Sequence, residues 1–249
     1  MRLTILGSGA SYPAPGRACA GYLVQARSTS VLMDCGNGVL SNLGRVIDPV
    51  TLDAVIISHG HIDHFADVFA LQAALRYAPA GPVSPVPLWL PDGLFGRMQA
   101  LLGERGAREL DEAFLVHEVG PGSVIGIGEL SIESHPVEHA VGACAFVIEG
   151  DGSRLCYTGD TRLGDAVRRA AKGAGTILAD ATLPAEFAGR APHMTPAEAG
   201  VLAADAGAST LVLTHLWPTI DRDQALAEAR SHFGGRVIVA DELTALDID

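Results

Sequence analysis

The sequence has little charge and almost no lysine. Of its 249 residues, 18% are charged and 48% are hydrophobic, and Lys172 is the one lysine among 17 basic residues. A disordered chain needs low hydrophobicity and high charge, so this composition excludes one. The 29 acidic residues give a formal net charge of −12. A surface of that sign repels polyanions and anionic membranes, so we expect neither extended nucleic-acid binding nor membrane association.

Cysteines and long apolar runs are also scarce. The four cysteines form no CxxC pair and are too sparse for a disulfide scaffold. The initial MRLTILGSGA contains one Arg and too short an apolar run for a signal peptide. Elsewhere no apolar run reaches the roughly 20 residues that a membrane span requires. These features predict a reduced, cytoplasmic protein.

Strand and helix patterns alternate along the chain. The hairpin GYLVQA/SVLMDCG is followed later by a similar one, ACAFVIEG/RLCYTGD, and each ends on a carboxylate, Asp34 or Asp160. This similarity suggests a duplicated half-domain. The pattern also predicts a helix over 65–78, a proline-rich surface loop over 79–92 and one helix within 92–113. Hairpins mixed with alternating strands and helices predict a layered α/β fold with sheets inside and helices outside.

The densest group of metal-binding side chains directly follows a strand predicted over 52–58. Within six residues the segment contains four potential ligands, His59, His61, Asp63 and His64. Neutral imidazoles and carboxylates are ligands for zinc and similar divalent ions. Without a cation, such crowding would cost desolvation and repulsion with no gain in packing. The segment therefore predicts a metal site.

Three more residues continue this pattern: His139 in VEHAVGACAF, Asp160 in YTGDT and His215 in LTHLWP. In this order the motifs resemble those of the metallo-β-lactamase fold hydrolases. Within that family, DCGNG (34–38) and HMT (193–195) are similar to motifs of the phosphodiesterase and ribonuclease Z branch. The resemblance covers essentially the whole chain. It implies one domain over 1–249, folded as a four-layer αββα sandwich of two mixed β-sheets flanked by helices.

The resemblance also implies a site with two divalent metal ions and a bridging water or hydroxide. Its first metal would be held by His59, His61 and His139, its second by Asp63, His64 and His215, and Asp160 would bridge both. The catalytic residues would be Asp63 and His193, with His193 donating a proton to the leaving oxygen. Zinc is the expected metal, and manganese and iron suit the same nitrogen and oxygen ligands.

Some assignments have competitors. His135 lies four residues before His139, and we favour His139 because its distance from the AFVIE strand matches the family pattern. Asp34 is expected either to orient a ligand imidazole from outside the ligand set or to cap the turn before Gly36. His193 precedes a predicted helix cap at Thr195, and the alternative for it is an exposed loop histidine. The tryptophans, Trp89 and Trp217, are expected to be packing or pocket-wall residues.

The chain departs from ribonuclease Z between His139 and Asp160. In that family a long arm that grips tRNA is inserted there, whereas these residues are 21 positions apart here and a hairpin fills the interval. We therefore expect a phosphodiesterase acting on small phosphodiesters such as cyclic nucleotides. The alternatives are a lactone or thioester hydrolase on the same fold and a metal-binding protein without turnover. The apolar composition, with an exposed patch expected over 65–78, is compatible with a homodimer.

Overall fold

The computed structural model describes residues 1–77, 79 and 82–248. Ala78 of the predicted helix, Ala80 and Gly81 of the predicted loop, and Asp249 lie outside the described residues. The described chain forms two seven-stranded mixed sheets. The first contains β1 (Arg2–Gly7), β2 (Gly21–Ala26), β3 (Thr29–Met33), β4 (Ala54–Ile56), β5 (Val86–Leu90), β6 (Phe114–Glu118) and, beside β1, a final strand, Ala245–Asp247. The second contains β7 (Val124–Ile127), β8 (Leu130–Val137), β9 (Ala143–Gly150), β10 (Ser153–Tyr157), β11 (Thr176–Asp180), β12 (Thr210–Thr214) and β13 (Arg236–Val239). The final strand of the first sheet, Ala245–Asp247, is β14.

Helices cover the outer face of each sheet. Those packed on the first sheet are α1 (Val39–Leu43), α2 (Val68–Tyr77), α3 (Leu94–Ala100) and α4 (Glu104–Ala113). Those packed on the second sheet are α5 (Asp165–Ala171), α6 (Pro196–Ala206) and α7 (Arg222–Arg230). Among the described residues, none of these helices is long and apolar enough to cross a bilayer.

The alternation of side chains along each strand separates an inner core from two outer ones. On β2, Tyr22 and Val24 belong to the core between the sheets, while Leu23 packs with the helices on the outside. The ring of Tyr22 meets the ring of Tyr157 from the second sheet at a centroid distance of 5.0 Å. The structure therefore confirms the predicted four-layer αββα sandwich of two mixed sheets.

The two halves of the chain share one strand-pairing order. From β1 to β6 the successive pairs are antiparallel twice and then parallel three times, and the same series runs from β8 to β13. The hairpins that look alike in sequence, β2–β3 and β9–β10, occupy equivalent positions in this series. This agrees with the duplication that the sequence suggested.

Two local predictions are wrong. The segment 79–92 is not only loop, because it contains β5, which pairs in parallel with β4 and β6. Prolines are unfavourable in a central strand, so the sequence does not indicate this one. Pairing with β4 starts only at Leu88, after Pro87, and this makes the proline compatible with the strand. In place of one helix within 92–113 there are two, α3 and α4. Extended backbone at Gly103 separates them, with φ −71° and ψ 168°.

The patch expected over 65–78 is mostly buried. Phe65, Val68, Leu71 and Leu75 belong to the core between the first sheet and its helices, and Tyr77 is exposed. The described residues 65–77 therefore do not form the exposed apolar surface that a homodimer would need there.

The parallel strands determine where functional side chains meet. Neighbouring parallel strands end at one edge of a sheet, so residues that follow them lie close together. Asp34 follows β3, the histidine-rich segment follows β4, Asp160 follows β10, Asp180 ends β11 and His215 follows β12. The carboxyl ends of the parallel strands in both sheets thus contribute side chains to one site.

Candidate metal centre

The segment from Ser58 to His64 is tied to both sheets by its backbone. The Ser58 carbonyl accepts from the Cys144 amide of β9 at 3.3 Å, and the His64 carbonyl accepts from the Cys35 amide at 2.7 Å. A single 3-10 turn, Ile62–His64, then brings Asp63 and His64 to the buried side while Ile62 faces solvent. These contacts hold the ligand-type side chains on a rigid base.

A first group of four atoms converges beside this segment. Nδ1 of His61 lies 3.0 Å from Nε2 of His59 and 3.1 Å from Nε2 of His139. Oδ2 of Asp160 lies 3.5 Å from the His59 nitrogen and 3.7 Å from the His139 nitrogen. Tetrahedral ligands about 2.0–2.1 Å from a zinc ion are about 3.3 Å from one another, so this spacing suits such an ion.

A second group adjoins the first. Nε2 of His215 lies 3.2 Å from Nε2 of His64 and 3.3 Å from Oδ2 of Asp63. Oδ2 of Asp160, the same oxygen that faces the first group, lies 3.4 Å from Nε2 of His64. Both groups can hold a metal ion, and Asp160 stands between them.

The carboxylate of Asp160 fits a cation better than it fits the protein alone. Asp160 is buried, and its Oδ1 has no hydrogen-bond partner among the described residues. A buried, unsatisfied carboxylate oxygen is costly. Around it, His61 Nδ1 faces two other ring nitrogens at hydrogen-bond distance, and a single proton cannot bridge both contacts. A divalent cation in each group would satisfy these nitrogen lone pairs and the Asp160 carboxylate together.

The charge states differ between the two groups. Burial and the neighbouring His64 imidazole lower the pKa of His59 to about 2, and burial also lowers the pKa of His61 and of His139. These rings are therefore neutral, which is the form that binds metal. Burial lowers the pKa of His215 as well, but the Asp160 carboxylate and the contact with Asp63 outweigh it and raise that pKa to about 10. In the second group, a cation must therefore displace a proton.

Asp34 orients one of the second group's imidazoles. Its Oδ2 lies 2.7 Å from Nδ1 of His64 and accepts from the Tyr157 hydroxyl at 2.5 Å. Its Oδ1 accepts from the Ser58 amide at 2.7 Å. A carboxylate at Nδ1 leaves Nε2 free to face the cluster. Of the two roles weighed for Asp34, the structure shows the orienting one.

Asp180 is a site residue that the sequence analysis missed. It is buried, and its Oδ2 lies 2.8 Å from Nδ1 of His193. Its Oδ1 accepts from the Thr182 hydroxyl at 2.6 Å, and that hydroxyl also lies 2.8 Å from Nδ1 of His215. The available signal was a carboxylate at the end of a buried parallel strand, in LADAT, one strand away from Asp160.

His193 lies at the cluster and is not an exposed loop residue. Its ring stacks on that of His215, with centroids 5.6 Å apart, and meets the ring of His139 edge-on at 4.9 Å. The predicted capping box between Thr195 and Glu198 is present and fixes the turn that follows. Burial lowers the pKa of His193, but the Asp180 carboxylate outweighs it, and the pKa lies above its usual value.

The competing histidine, His135, lies outside this cluster. It is on β8, where its Nε2 is 3.5 Å from a carboxylate oxygen of Glu133. By contrast, the Nδ1 of His139 is 3.1 Å from the Pro192 carbonyl, and its Nε2 points into the first group. The structure thus brings together all seven predicted ligands together with His193.

Comparison with known proteins identifies the family of the chain. The beta-lactamase superfamily domain matches residues 29–216. The chain is 31% identical over 247 residues to the probable metallo-hydrolase YhfI of Bacillus subtilis, covering 96% of this chain and 97% of that protein. The crystal structure of YhfI matches with a TM-score of 0.88 and covers 99% of each chain. The chain is also 30% identical over 278 residues to ribonuclease Z of Mycobacterium bovis, covering 100% of this chain and 98% of that protein.

A more distant structure shows the same architecture. The short form of human tRNase Z matches with a TM-score of 0.81 at 23% identity over the whole of both chains, a likeness of fold. The family domain covers most of the chain, and its span contains all seven ligand-type residues. The chain therefore belongs to the beta-lactamase superfamily and is a metallo-hydrolase of the metallo-β-lactamase fold, related to ribonuclease Z.

Proposed function

We propose that this protein is a binuclear metal-dependent phosphodiesterase acting on small phosphodiesters such as cyclic nucleotides. In this proposal the first metal would be held by His59, His61 and His139 and the second by Asp63, His64 and His215, with Asp160 available to both. The observation that carries it is the position of Asp160 Oδ2, which lies 3.4 to 3.7 Å from ring nitrogens of both groups. Zinc is the expected metal, since the site offers nitrogen and oxygen ligands.

When bound, the metals would supply an activated water and a positive field for charge developing on the phosphoryl oxygens. Two divalent cations would outweigh the charges of Asp63 and Asp160, so the ligand set with its metals would be positive, in an acidic protein. A substrate that gains negative charge on oxygen in the transition state suits that field.

His193 is the proposed general acid, and Asp180 positions it. Because Nδ1 of His193 faces the Asp180 carboxylate, Nε2 remains free to donate a proton to the leaving oxygen. The raised pKa of His193, which the Asp180 carboxylate produces against the effect of burial, favours the protonated ring that this role requires. An alkoxide leaving group, as in an alkyl phosphodiester, needs that proton.

The short interval between His139 and Asp160 supports a small substrate. The interval between His139 and Asp160 contains the β9–β10 hairpin. Next to it lies an open cavity of about 520 Å³ lined by His139, Arg162 and Pro192. The Arg162 guanidinium at this cavity is 4.0 Å from the Glu138 carboxylate, which also lines it, and the net charge of −12 disfavours a long polyanion.

A substrate screen after metal analysis tests this function. The protein is loaded with Zn²⁺ or Mn²⁺ and assayed with 3′,5′-cyclic AMP, bis(p-nitrophenyl) phosphate, a lactone and a thioester. We expect turnover of the phosphodiesters, abolished by a chelator and restored by metal. Turnover of the lactone or thioester with none on either phosphodiester would contradict the proposal, and so would stable metal binding with no turnover at all.

A further inference from the structure

A pocket of about 500 Å³ lies on the loops that carry His193 and His215. Its walls are mainly apolar and come from the loop after β11 and the segment after β12, with α7 opposite. The volume falls within the range of pockets that bind small organic molecules. Metal ligands and a general acid recognise a phosphodiester but do not use such a pocket, so it is available for another part of the substrate.

Backbone contacts join this pocket to the site. The Leu183 amide in its wall donates to the Met194 carbonyl at 3.0 Å, one residue past His193, and the His193 amide donates to the Ala191 carbonyl at 2.9 Å. Trp217 follows His215 by two residues and also lines the pocket. The wall of the pocket is therefore joined by backbone hydrogen bonds to the loop that carries His193.

The pocket concentrates aromatic surface in a chain with few aromatic residues. Aromatic side chains are 5% of the sequence, yet Trp217 and Phe187 both line this pocket and are 37% and 42% exposed. Tyr12 packs against Trp217 at a centroid distance of 6.3 Å and an interplanar angle of 79°, which supports the indole from a neighbouring loop. The Arg190 guanidinium lies 5.3 Å from the centre of the Phe187 ring. These contacts leave an aromatic surface that a flat ring can stack on.

The polar groups of the pocket are mostly oxygen acceptors. Glu186 and Glu228 contribute carboxylates. Gln224 donates its Nε2 to Glu228 at 2.8 Å, so its amide oxygen remains as an acceptor. The lining also includes the Asp221 carboxylate and one guanidinium, that of Arg190, so three carboxylates outnumber a single cation and the rim favours a ligand with N–H donors. A purine with an exocyclic amine carries such a donor.

We propose that this pocket binds the nucleobase of the substrate, an amino-bearing purine such as adenine, with Trp217 as its stacking surface. The assignment rests on the proposed phosphodiesterase function and extends it, because it places base specificity in the loops around Trp217 and Phe187. In this arrangement the phosphodiester faces the metal centre while the base occupies the apolar pocket.

Two matched substrates test the proposal: 3′,5′-cyclic AMP and methyl riboside 3′,5′-cyclic phosphate, which lacks the base. Trp217→Ala should lower kcat/KM for cyclic AMP about 5- to 100-fold, the range expected for one base stacked on an aromatic ring, and Trp217→Phe should restore most of it. Both variants should leave kcat/KM for the base-free substrate and the metal content close to wild type. An equal loss on both substrates, or no loss on cyclic AMP, would overturn the proposal.

The amino group is tested by replacing it. Cyclic IMP carries a carbonyl where cyclic AMP carries the amine, so the acceptor rim should raise its KM relative to cyclic AMP. In a Glu228→Gln variant, which offers an N–H donor at this rim, the difference should shrink. Equal KM values for the two nucleotides in the wild type would contradict the choice of an amino-bearing base.

A binding measurement separates this proposal from the proposed function. In a Trp89→Phe variant, Trp217 is the one remaining tryptophan, since the chain has two. Adenosine, which has no phosphate, should change the fluorescence of this variant saturably, and should leave unchanged that of Trp217→Phe, which retains Trp89. If no phosphodiester is hydrolysed but adenosine produces this response, the proposed function fails and the pocket assignment stands. If cyclic AMP is hydrolysed and adenosine produces no response, the pocket assignment fails and the function stands.

Discussion

Asp34 and Asp180 each hold one imidazole by its Nδ1 atom, at 2.7 Å for His64 and 2.8 Å for His193. They lie in opposite halves of the chain, and the strands that carry them do not occupy equivalent positions in the two halves. Asp34 follows β3 and accepts from the Ser58 amide beyond β4 at 2.7 Å. In the other half the carboxylate lies on the neighbouring strand. There the Asp180 amide of β11 donates to the Thr158 hydroxyl, which follows β10, at 2.9 Å.

The register of the strands makes this exchange explicit. Met33 pairs with Ile56, and Tyr157 pairs with Leu178. Asp34 comes one residue after Met33, and Thr158 comes one residue after Tyr157. Ser58 comes two residues after Ile56, and Asp180 comes two residues after Leu178. Both halves therefore place one carboxylate and one hydroxyl at the same two positions, with the order reversed. One carboxylate serves an imidazole of the metal groups and the other serves the proposed acid.

The two candidate histidines before β9 are separated by mutation. His139→Ala removes a ring nitrogen that faces the first group, so we expect it to lose metal from that group and to reduce activity roughly 100-fold or more. His135→Ala changes a residue that contacts Glu133 on β8, so most activity and the full metal content should remain. Elemental analysis and kcat/KM of both variants check this. Comparable losses in both would mean that His139 is wrongly assigned.

Asp34 is expected to matter more for the second metal than for the first, because it contacts His64 directly and His59 only through the Ser58 hydroxyl. Asp34→Asn replaces the acceptor at Nδ1 of His64, and loss of such a partner typically weakens metal binding about 10- to 100-fold. Competition with a chromogenic chelator measures the affinity of each site. Tyr157→Phe serves as the control, because it removes one hydrogen bond to Asp34 but keeps the carboxylate, so its effect should be smaller. Equal weakening of both sites in Asp34→Asn would argue for a general loss of structure.

His193 is tested by leaving group. His193→Ala should lower kcat about 100-fold or more on a phosphodiester with an alkoxide leaving group, and much less on a p-nitrophenyl ester, whose leaving group departs without a proton. The metal content should not change. An equal loss on both substrates would make His193 a substrate-positioning residue, and loss of metal would make it a ligand.

The pH dependence of the same step tests Asp180. An acid is active while protonated, so kcat on the alkoxide substrate should fall as the pH rises through the pKa of His193. Burial lowers this pKa and the Asp180 carboxylate raises it further than burial lowers it. In Asp180→Asn the raising effect is lost, so the alkaline fall in kcat should begin at lower pH. A profile that does not move, in a variant that keeps its metal, would separate Asp180 from the acid.

Metal binding should release protons. Burial lowers the pKa of His215, but the carboxylates around it raise the value to about 10, so the metal-free ring is protonated at neutral pH. Because a ligating nitrogen must lose its proton, metal affinity should rise with pH between about 6 and 9, with release of about one to two protons. Calorimetric titration in buffers of different ionisation enthalpy counts these protons. A release near zero throughout that range would contradict the assignment of His215 to the second group.

The sequence predicts the layers and picks out the seven ligand-type residues that the structure brings together, because both depend on local patterns. The strand alternation and the helical periodicity are visible within short windows, and the histidine-rich segment, His139, Asp160 and His215 stand in motifs that resemble a family. Asp180 could not be identified in this way. Its partner His193 is 13 residues further along, and their contact depends on the loop after β11 and on the pairing of β10 with β11.

Other details depend on tertiary contacts that the sequence does not express locally. The strand β5 is hidden among prolines, and its neighbours β4 and β6 on both sides determine that it forms. The choice between two roles for Asp34 needed the position of the His64 ring, which is 30 residues further along the chain. The aromatic pocket likewise combines residues from two separate stretches, 183–191 and 217–228.

Elemental analysis of metal per chain decides whether two metal ions share Asp160. The protein is loaded with Zn²⁺, freed of unbound metal and compared with Asp160→Ala prepared in the same way. We predict close to two ions per chain in the wild type, fewer in the variant and no turnover in the variant. One ion or none in a fully active wild type, or two tightly bound ions in Asp160→Ala, would show that the site does not hold two metals through Asp160.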